Sequence, residues 1–201
     1  MKTQLPEKSQ EHVEDIEAIK EVILKHHKDQ IAFIILFGSF ARGDWVYDYY
    51  TENNRDYEYA SDYDFLIVTR KNNYDNNRLL YKISQKLRLF RAPYKHHSPT
   101  IIAESIAVVN QELEKGRYFF SDIKKEGVVL YDNEEFKLSD PKELENQEIL
   151  EMVNDDFEYW FGKGVAFLNG SKSELKNRLN WKSAFELHQA TESLLNCNLL
   201  V

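Results

Sequence analysis

Residues 9–28 set Val13, Ile16, Ile19 and Ile23 among charged positions, an apolar residue every three or four places that predicts an amphipathic helix with one face turned inward. The next segment, "IAFIILF" at 31–37, is continuous, apolar and rich in β-branched residues, which suits a short central strand covered on both faces. A second strand is predicted at 61–70, "SDYDFLIVTR", polar at its start and apolar at its end. Leu79, Leu80, Ile83, Leu87 and Phe90 predict a helix over 74–91 that stops near Pro93, and "PTIIAE" predicts a third strand at 99–104. Two shorter helices, "IAVVNQELEKG" and "RYFFSDIKKEG", each end at a glycine, which tolerates the left-handed conformation that closes a helix. A last strand, "VVLYD", follows at 128–132. Strands alternating with helices indicate an α/β layer built on a single sheet.

Two stretches depart from that alternation. Residues 46–60, "VYDYYTENNRDYEYA", carry tyrosines and acids without a helical period and read as a long surface excursion or hairpin. After Ser139 everything reads as helix: Asp140 suits a cap, Pro141 the first turn, and Glu143 a bond back to the cap. Ile149, Met152, Val153, Phe157, Trp160 and Phe161 form one apolar stripe, and Trp181, Phe185, His188 and Leu195 another. Two helices cannot bury such stripes alone, so they need each other plus the first domain, or a partner chain. The expected division is therefore a domain at 1–136 and a helical segment at 140–201.

Composition narrows the partners. With 201 residues and 42% hydrophobic content the chain can bury a sizeable core, and its net charge of −8 disfavours a long nucleic acid or an anionic membrane surface. A small anion delivered with a divalent metal escapes that repulsion, because the metal turns carboxylates into useful ligands. Cys197 is the single cysteine, so there is no intrachain disulfide framework and no cysteine-based zinc cluster. The N-terminus has no apolar secretory core and no apolar run approaches the ~20 residues of a membrane span, so the expected location is the cytoplasm.

Against that background two short motifs stand out. In "FGSFARGDW" a Gly-Ser turn joins a buried strand to a short helix, leaving free backbone N–H groups at the positive end of the helix dipole, a site suited to phosphate. Gly38 allows close approach, and the Ser39 hydroxyl can donate to a phosphoryl oxygen. In "SDYDFLIV", Asp62 and Asp64 lie two residues apart on a strand, so both carboxylates leave one face. Two adjacent negative charges repel unless an arginine, solvent or a divalent cation relieves them.

Taken in order, "LFGSFARGDW" and "SDYDFLIV" resemble the Gly-Ser and Asp-x-Asp motifs of the nucleotidyltransferase superfamily related to DNA polymerase beta. The resemblance implies an α+β fold: a mixed sheet flanked by helices, followed here by an all-helical C-terminal segment. It also implies roles. Asp62 and Asp64 would hold Mg²⁺ or Mn²⁺, Gly38 and Ser39 the β and γ phosphates of an NTP, with ATP the expected substrate, and Arg42 would neutralise charge or support the loop. Many members use a third carboxylate on a neighbouring strand, and Glu104 at the end of "TIIAE" is the candidate; its alternative role is to open the following helix. The long insertion at 46–60 adds little closure entropy, and its tyrosines are candidates for stacking on a base or contacting a partner, against the plainer alternative of solvated hairpin aromatics.

The tail "AFELHQATESLL" resembles the opening part of the HEPN domain, a helical module often paired with minimal nucleotidyltransferases, although the Arg-x4-6-His motif of HEPN ribonucleases is missing and an incomplete module is expected. That resemblance implies a homodimer or a HEPN-type partner held through the C-terminal helices, with Phe185, Leu194, Leu195, Leu199 and Leu200 as contact residues. The other candidates are weaker. His26-His27 and His96-His97 diverge as adjacent pairs, His188 reads as packed core, and Lys124-Lys125 as solvated surface. Two functions remain open. One is transfer of a nucleoside monophosphate, AMP foremost, to a hydroxyl on a small molecule or a protein tyrosine, the latter in a toxin–antitoxin setting. The other is a non-catalytic nucleotide-binding or interaction module.

Overall fold

The computed structural model describes residues 1–71, 76–89 and 96–199. The end of the predicted helix at Phe90 and Pro93, and Leu200 at the tail, lie outside the described residues, as do the side chains of His26 and Leu199. The chain forms two compact units, Met1–Lys142 and Glu143–Val201.

In the first unit a 3-10 turn, Glu7–His12, leads into α1 (Val13–His27), and β1 (Ile31–Phe37) follows. A short helix α2 (Gly38–Arg42) and the hairpin β2 (Tyr47–Glu52) and β3 (Arg55–Ala60) precede β4 (Tyr63–Thr69). Then come α3 (Asn76–Leu89), β5 (Pro99–Ser105), α4 (Ile106–Glu114), α5 (Tyr118–Glu126) and β6 (Val128–Asp132). Among the described residues the main sheet runs β5-β4-β1-β6, with β1 antiparallel to β4 and to β6 and β4 parallel to β5. It is the mixed sheet flanked by helices that the α+β expectation describes.

Why β1 is central follows from its residues: Ile31 to Leu36 are all buried, so neither face can meet water. One face packs on Ile16, Ile19 and Ile23 of α1 and Leu79, Ile83 and Leu87 of α3; the other packs on Val109 and Leu113 of α4 and Ile123 of α5. Each fully buried isoleucine contributes roughly 1.5–3 kcal/mol. Val13, placed on the inward stripe by periodicity, opens α1 and stays exposed.

Two expectations about chain punctuation need correcting. Gly116 does close α4 at positive φ, but Gly127 is extended (φ −66°). Its lack of a side chain answers a space constraint, because a Cβ there would lie 2.9 Å from Ile35 Cγ2 and closer to the Ile123 carbonyl. Residues 139–143 do not start a helix. Ser139 N donates to Asn110 Oδ1, Ser139 Oγ to Glu114 Oε1, and Lys142 N to the Leu113 carbonyl, which holds this segment along α4. Lys124, expected as solvated surface, donates to the Leu138 carbonyl at 3.2 Å and takes part in that anchoring.

The second unit is a hairpin of two helices, α6 (Asn146–Lys176) and α7 (Asn180–Leu199). Its first helix starts where Glu145 and Glu148 form a reciprocal capping box, which satisfies two backbone N–H groups at the helix start. Small residues let the helices approach: Gly164, Ser171, Ser183, Ala190 and Ser193 are buried, and Ser171 Oγ donates to the Ser183 carbonyl while Ser183 Oγ returns a bond to the Ser171 carbonyl. Several large apolar residues are left outside, with Trp181 75% exposed and Phe185 58%. His188, expected as core, is exposed and sits 3.2 Å from Glu192 one turn on.

Candidate active site

The Gly-Ser turn is built from both sides. At the end of β1 the backbone of Gly38 takes φ +70°, a conformation that costs a side-chain-bearing residue about 1–2 kcal/mol. It starts α2, whose carbonyls find partners in turn: Gly43 and Asp44 donate to Ser39 O, Ser9 Oγ to Phe40 O at 2.7 Å, and Lys2 Nζ to Ala41 O at 3.0 Å. The N-terminal segment thus holds a helix too short to stand alone. Nothing in the motif itself points to Ser9 or Lys2; only the tertiary structure brings them there.

Across from this turn lies the Asp-x-Asp motif. Phe37 is the register partner of Asp64 on β4, and a Cβ added at Gly38 would lie 3.2 Å from Asp64 Cγ and closer still to Oδ2. So the half-buried Asp64 carboxylate rests directly against the glycine that opens the turn. Its carboxyl is pushed up to about 6, first by burial and then by the neighbouring charge of Asp62, while Arg42 pulls the other way. Asp62 is exposed just ahead of β4. Arg42 is shared: its Nε donates to Asp44 Oδ2 at 3.0 Å and its Nη1 lies 3.8 Å from Glu126 Oε2. The structure therefore brings Gly38, Arg42, Asp62 and Asp64 together, with Ser39 the next residue of the turn.

Beneath the aspartates, Tyr63 points to the opposite face and is fully buried. Its hydroxyl donates to Asp15 Oδ2 at 3.2 Å and pairs with His12 Nδ1 at 2.7 Å. Around it pack Phe40, Trp45, His12 and His97, with the Phe40 and Trp45 rings stacked at 5.3 Å. Buried His97 engages the Ser61 carbonyl through Nδ1 at 2.7 Å, so it anchors the strand start and is structural. One aromatic cluster thereby grips both α2 and the start of β4, which keeps the two motifs in fixed relation. Tyr63→Phe is expected to cost about 1–2 kcal/mol in denaturant unfolding, since it strands His12 and Asp15 without their shared partner. A loss under about 0.3 kcal/mol would show that the hydroxyl is not part of the anchor.

Glu104 is not brought to this group. In the parallel β4–β5 ladder Asp64 pairs with Thr100 and Glu104 pairs with Val68, four residues farther along, which at about 3.3 Å per residue sets it about 13 Å away. Sequence reasoning placed a carboxylate on the right strand and the wrong row, because the register cannot be read from "PTIIAE" alone. The residue that occupies the row is Thr100, whose Oγ1 donates to Asp62 Oδ2 at 3.3 Å. Among the described residues no group of three or more His, Cys, Asp or Glu side chains could hold a metal by itself. Two crowded carboxylates with hard oxygens do fit a divalent cation that takes its remaining ligands from phosphate. If Asp62 ligates a divalent cation, Thr100→Val should weaken Mn²⁺ binding about tenfold while leaving the fold intact, because Asp62 loses its orienting donor. Unchanged Mn²⁺ affinity by titration would remove Thr100 from the site.

Comparison with known proteins agrees with this geometry only at the level of family. No curated protein matches the chain. Among solved structures, the crystal structure of spectinomycin adenyltransferase AAD(9) from Enterococcus faecialis with ATP and spectinomycin is similar at 14% identity and a TM-score of 0.42, covering 93% of this chain and 96% of that one. The family described as polymerase beta, nucleotidyltransferase matches residues 17–136, a span that contains the Gly-Ser turn and both aspartates. The chain belongs to the polymerase beta nucleotidyltransferase family.

Proposed function

We propose that this nucleotidyltransferase moves a nucleoside monophosphate, AMP foremost, from an NTP bound with Mg²⁺ or Mn²⁺ to a hydroxyl on an acceptor. The observation that supports the reading is the packing of the Asp64 carboxylate against Gly38, which sets the group we assign to the cation beside the turn we assign to the polyphosphate. Asp62 and Asp64 would hold the cation, whose chemistry when bound is to neutralise phosphate charge and orient an in-line displacement. Gly38 and Ser39 present backbone N–H groups to the β and γ phosphates, with the Ser39 hydroxyl as a further donor. Arg42, already near Asp64, adds positive charge on the same side. Attack by the acceptor oxygen forms the new O–P bond at the α-phosphorus as the bond to pyrophosphate breaks.

Our preferred acceptor is a protein hydroxyl such as a tyrosine, in a toxin–antitoxin setting; a small hydroxylated molecule is the other. The HEPN-like tail favours the former, and we propose that it pairs with a second copy or a HEPN-type partner through the exposed faces around Trp181, Phe185 and Leu195. Only monomer in light scattering at micromolar concentration, with and without a HEPN protein, would remove that pairing.

The test of the central reading is release of pyrophosphate and labelling of acceptor from α-labelled ATP with Mg²⁺, comparing Asp62→Asn. Label transfer that vanishes in the variant supports it. A second reading, nucleotide binding without turnover, is favoured by Thr100 standing in the row where a third acid was expected. Tight binding of ATP and Mg²⁺ with no transfer to any acceptor would establish that one.

A further inference from the structure

The hairpin β2–β3 is the part of the first unit that neither the core nor the proposed chemistry uses. Asn53 and Asn54 at its tip both have positive φ, the pair that a tight two-residue turn requires, so the ribbon is a built element. Its root is pinned beside the site: Ser61 N donates to the Val46 carbonyl at 2.9 Å and Val46 N donates to Ser61 Oγ at 3.0 Å, one residue before Asp62. Every residue of β2 and β3 is exposed except Ala60, which is half-buried. Such a two-stranded ribbon is marginal in water without something to pack on.

Its surface has a definite chemistry. Tyr50 and Tyr57 face each other across the ladder and stack at 5.2 Å, with Tyr59, 64% exposed, on the same face. On the other face Tyr47 packs on His96 at 4.6 Å, and Glu58 pairs with that histidine at 2.6 Å. Residues 46–61 hold four acids (Asp48, Glu52, Asp56, Glu58) against Arg55 alone, a net −3 before His96 is counted. β2 and β3 pair only with each other among the described residues, so each keeps one open edge of N–H and C=O groups.

We propose that this hairpin docks an extended, arginine- or lysine-bearing segment of a partner protein, which adds to an open edge while its cations stack on the tyrosine faces. Three features select that occupant. Open strand edges are complemented by another polypeptide backbone, which a small molecule lacks. Paired tyrosine faces bordered by carboxylates suit guanidinium and ammonium groups. A second copy of this ribbon would bring like charge to like charge, so the acidic surface excludes self-pairing and leaves a basic partner. The ribbon is about 20 Å long, six residues per strand, a length that an extended segment of similar residue count matches along an open edge. The proposal deepens the protein-acceptor reading and rests on it for its purpose: a segment held here lies beside Asp62, and its hydroxyls come within reach of the site.

The experiment uses the full chain and a fluorescent peptide of about 12 residues, long enough to span the ribbon, alternating arginine with threonine. Controls are a peptide alternating glutamate with threonine, the arginine peptide N-methylated at alternate amides, and spermine as competitor. The expected result is micromolar binding of the arginine peptide that weakens with salt. It should fall at least about tenfold with the N-methylated peptide and by a similar factor in the double variant Tyr50→Ser, Tyr57→Ser. ATP binding, measured in the same samples, should stay at the wild-type level, which shows that the variant is folded. Failure of the arginine peptide to bind, equal binding by the N-methylated form, or no loss in the tyrosine variant would overturn the proposal. Displacement by spermine at equal concentration would overturn it too, in favour of a small-polycation site. The two readings fail separately: a peptide that docks through the hairpin while no acceptor of any kind is labelled leaves the docking surface standing and sinks the transferase reading, while label transfer to an acceptor without peptide binding does the reverse.

Discussion

Asp64→Asn is expected to lower nucleotidyl transfer about a thousandfold, the rate equivalent of roughly 4 kcal/mol of lost cation-mediated stabilisation, and at the same time to make the apo protein more stable at neutral pH. The two effects have one cause. Burial and the Asp62 charge hold the Asp64 carboxyl at about 6 instead of 3.8, so at neutral pH the folded protein keeps an ionised group it would rather protonate. An unscreened shift of that size corresponds to about 3 kcal/mol, but a half-exposed carboxylate is screened, and about 1 kcal/mol is a realistic gain. In a melting experiment that is about 2–4 °C for a chain of this length.

The sign with pH follows from the same shift. A carboxyl whose folded pKa is raised destabilises the fold fully above about 6 and not at all below 3.8, so wild type should gain on the Asp64→Asn variant as pH falls through that window. His12 works in the opposite direction. Burial, then the nearby His97, hold it below its usual 6.5, so its contribution is present above 6.5 and is lost as pH drops. Comparing wild type with Asp64→Asn at each pH cancels the His12 contribution. A variant less stable than wild type at pH about 7.5, above the window, would mean that Asp64 is satisfied without a cation, and the site reading would fail with it. Conversely, Mg²⁺ with ATP should raise the melting temperature of wild type and leave the variant nearly unmoved.

Gly38→Ala should damage the site more than the fold. Two penalties coincide there: about 1–2 kcal/mol for an L-residue at φ +70°, and the collision of the new Cβ with the Asp64 carboxylate. The side chain of Asp64 can swing away, so the fold should survive with a loss of about 2 kcal/mol. The site should not. With Asp64 in its proposed role as a cation ligand, a displacement of about 1 Å is enough to cost about a hundredfold in rate. Ser39→Ala, which removes one hydroxyl and leaves the backbone N–H groups in place, should cost only about tenfold in transfer. Wild-type turnover in Gly38→Ala would show that the close packing of turn and carboxylate is incidental.

Much of this molecule was legible because local chemistry and tertiary role agree. The apolar run at 31–37 could only be a strand covered on both sides, and the inward stripe of α1 could only lie on it. Gly38-Ser39 and Asp62-x-Asp64 announce themselves because glycine at positive φ and paired carboxylates are both costly unless something uses them. Where several equally polar segments could satisfy the same pattern, reading failed. Asp140-Pro141 and Glu145-x-x-Glu148 are rival helix starts in one short stretch, and the choice went to the latter because hydrogen bonds to α4 tie down the former.

The expectation that His188 is packed core failed for a related reason. Periodicity marks a face but not its depth, and small serines and alanine took the buried side while Trp181 and Phe185 stayed outside. Composition, motif order and hydrophobic period thus determined the sheet, the family and the two aspartates, since each is a property of residues near in sequence. Strand register, the support of α2 by Ser9 and Lys2, and the arrival of Thr100 rather than Glu104 beside Asp62 were decided only by the tertiary structure. They depend on how far one strand slides along another, and a strand's own residue pattern is the same at every register.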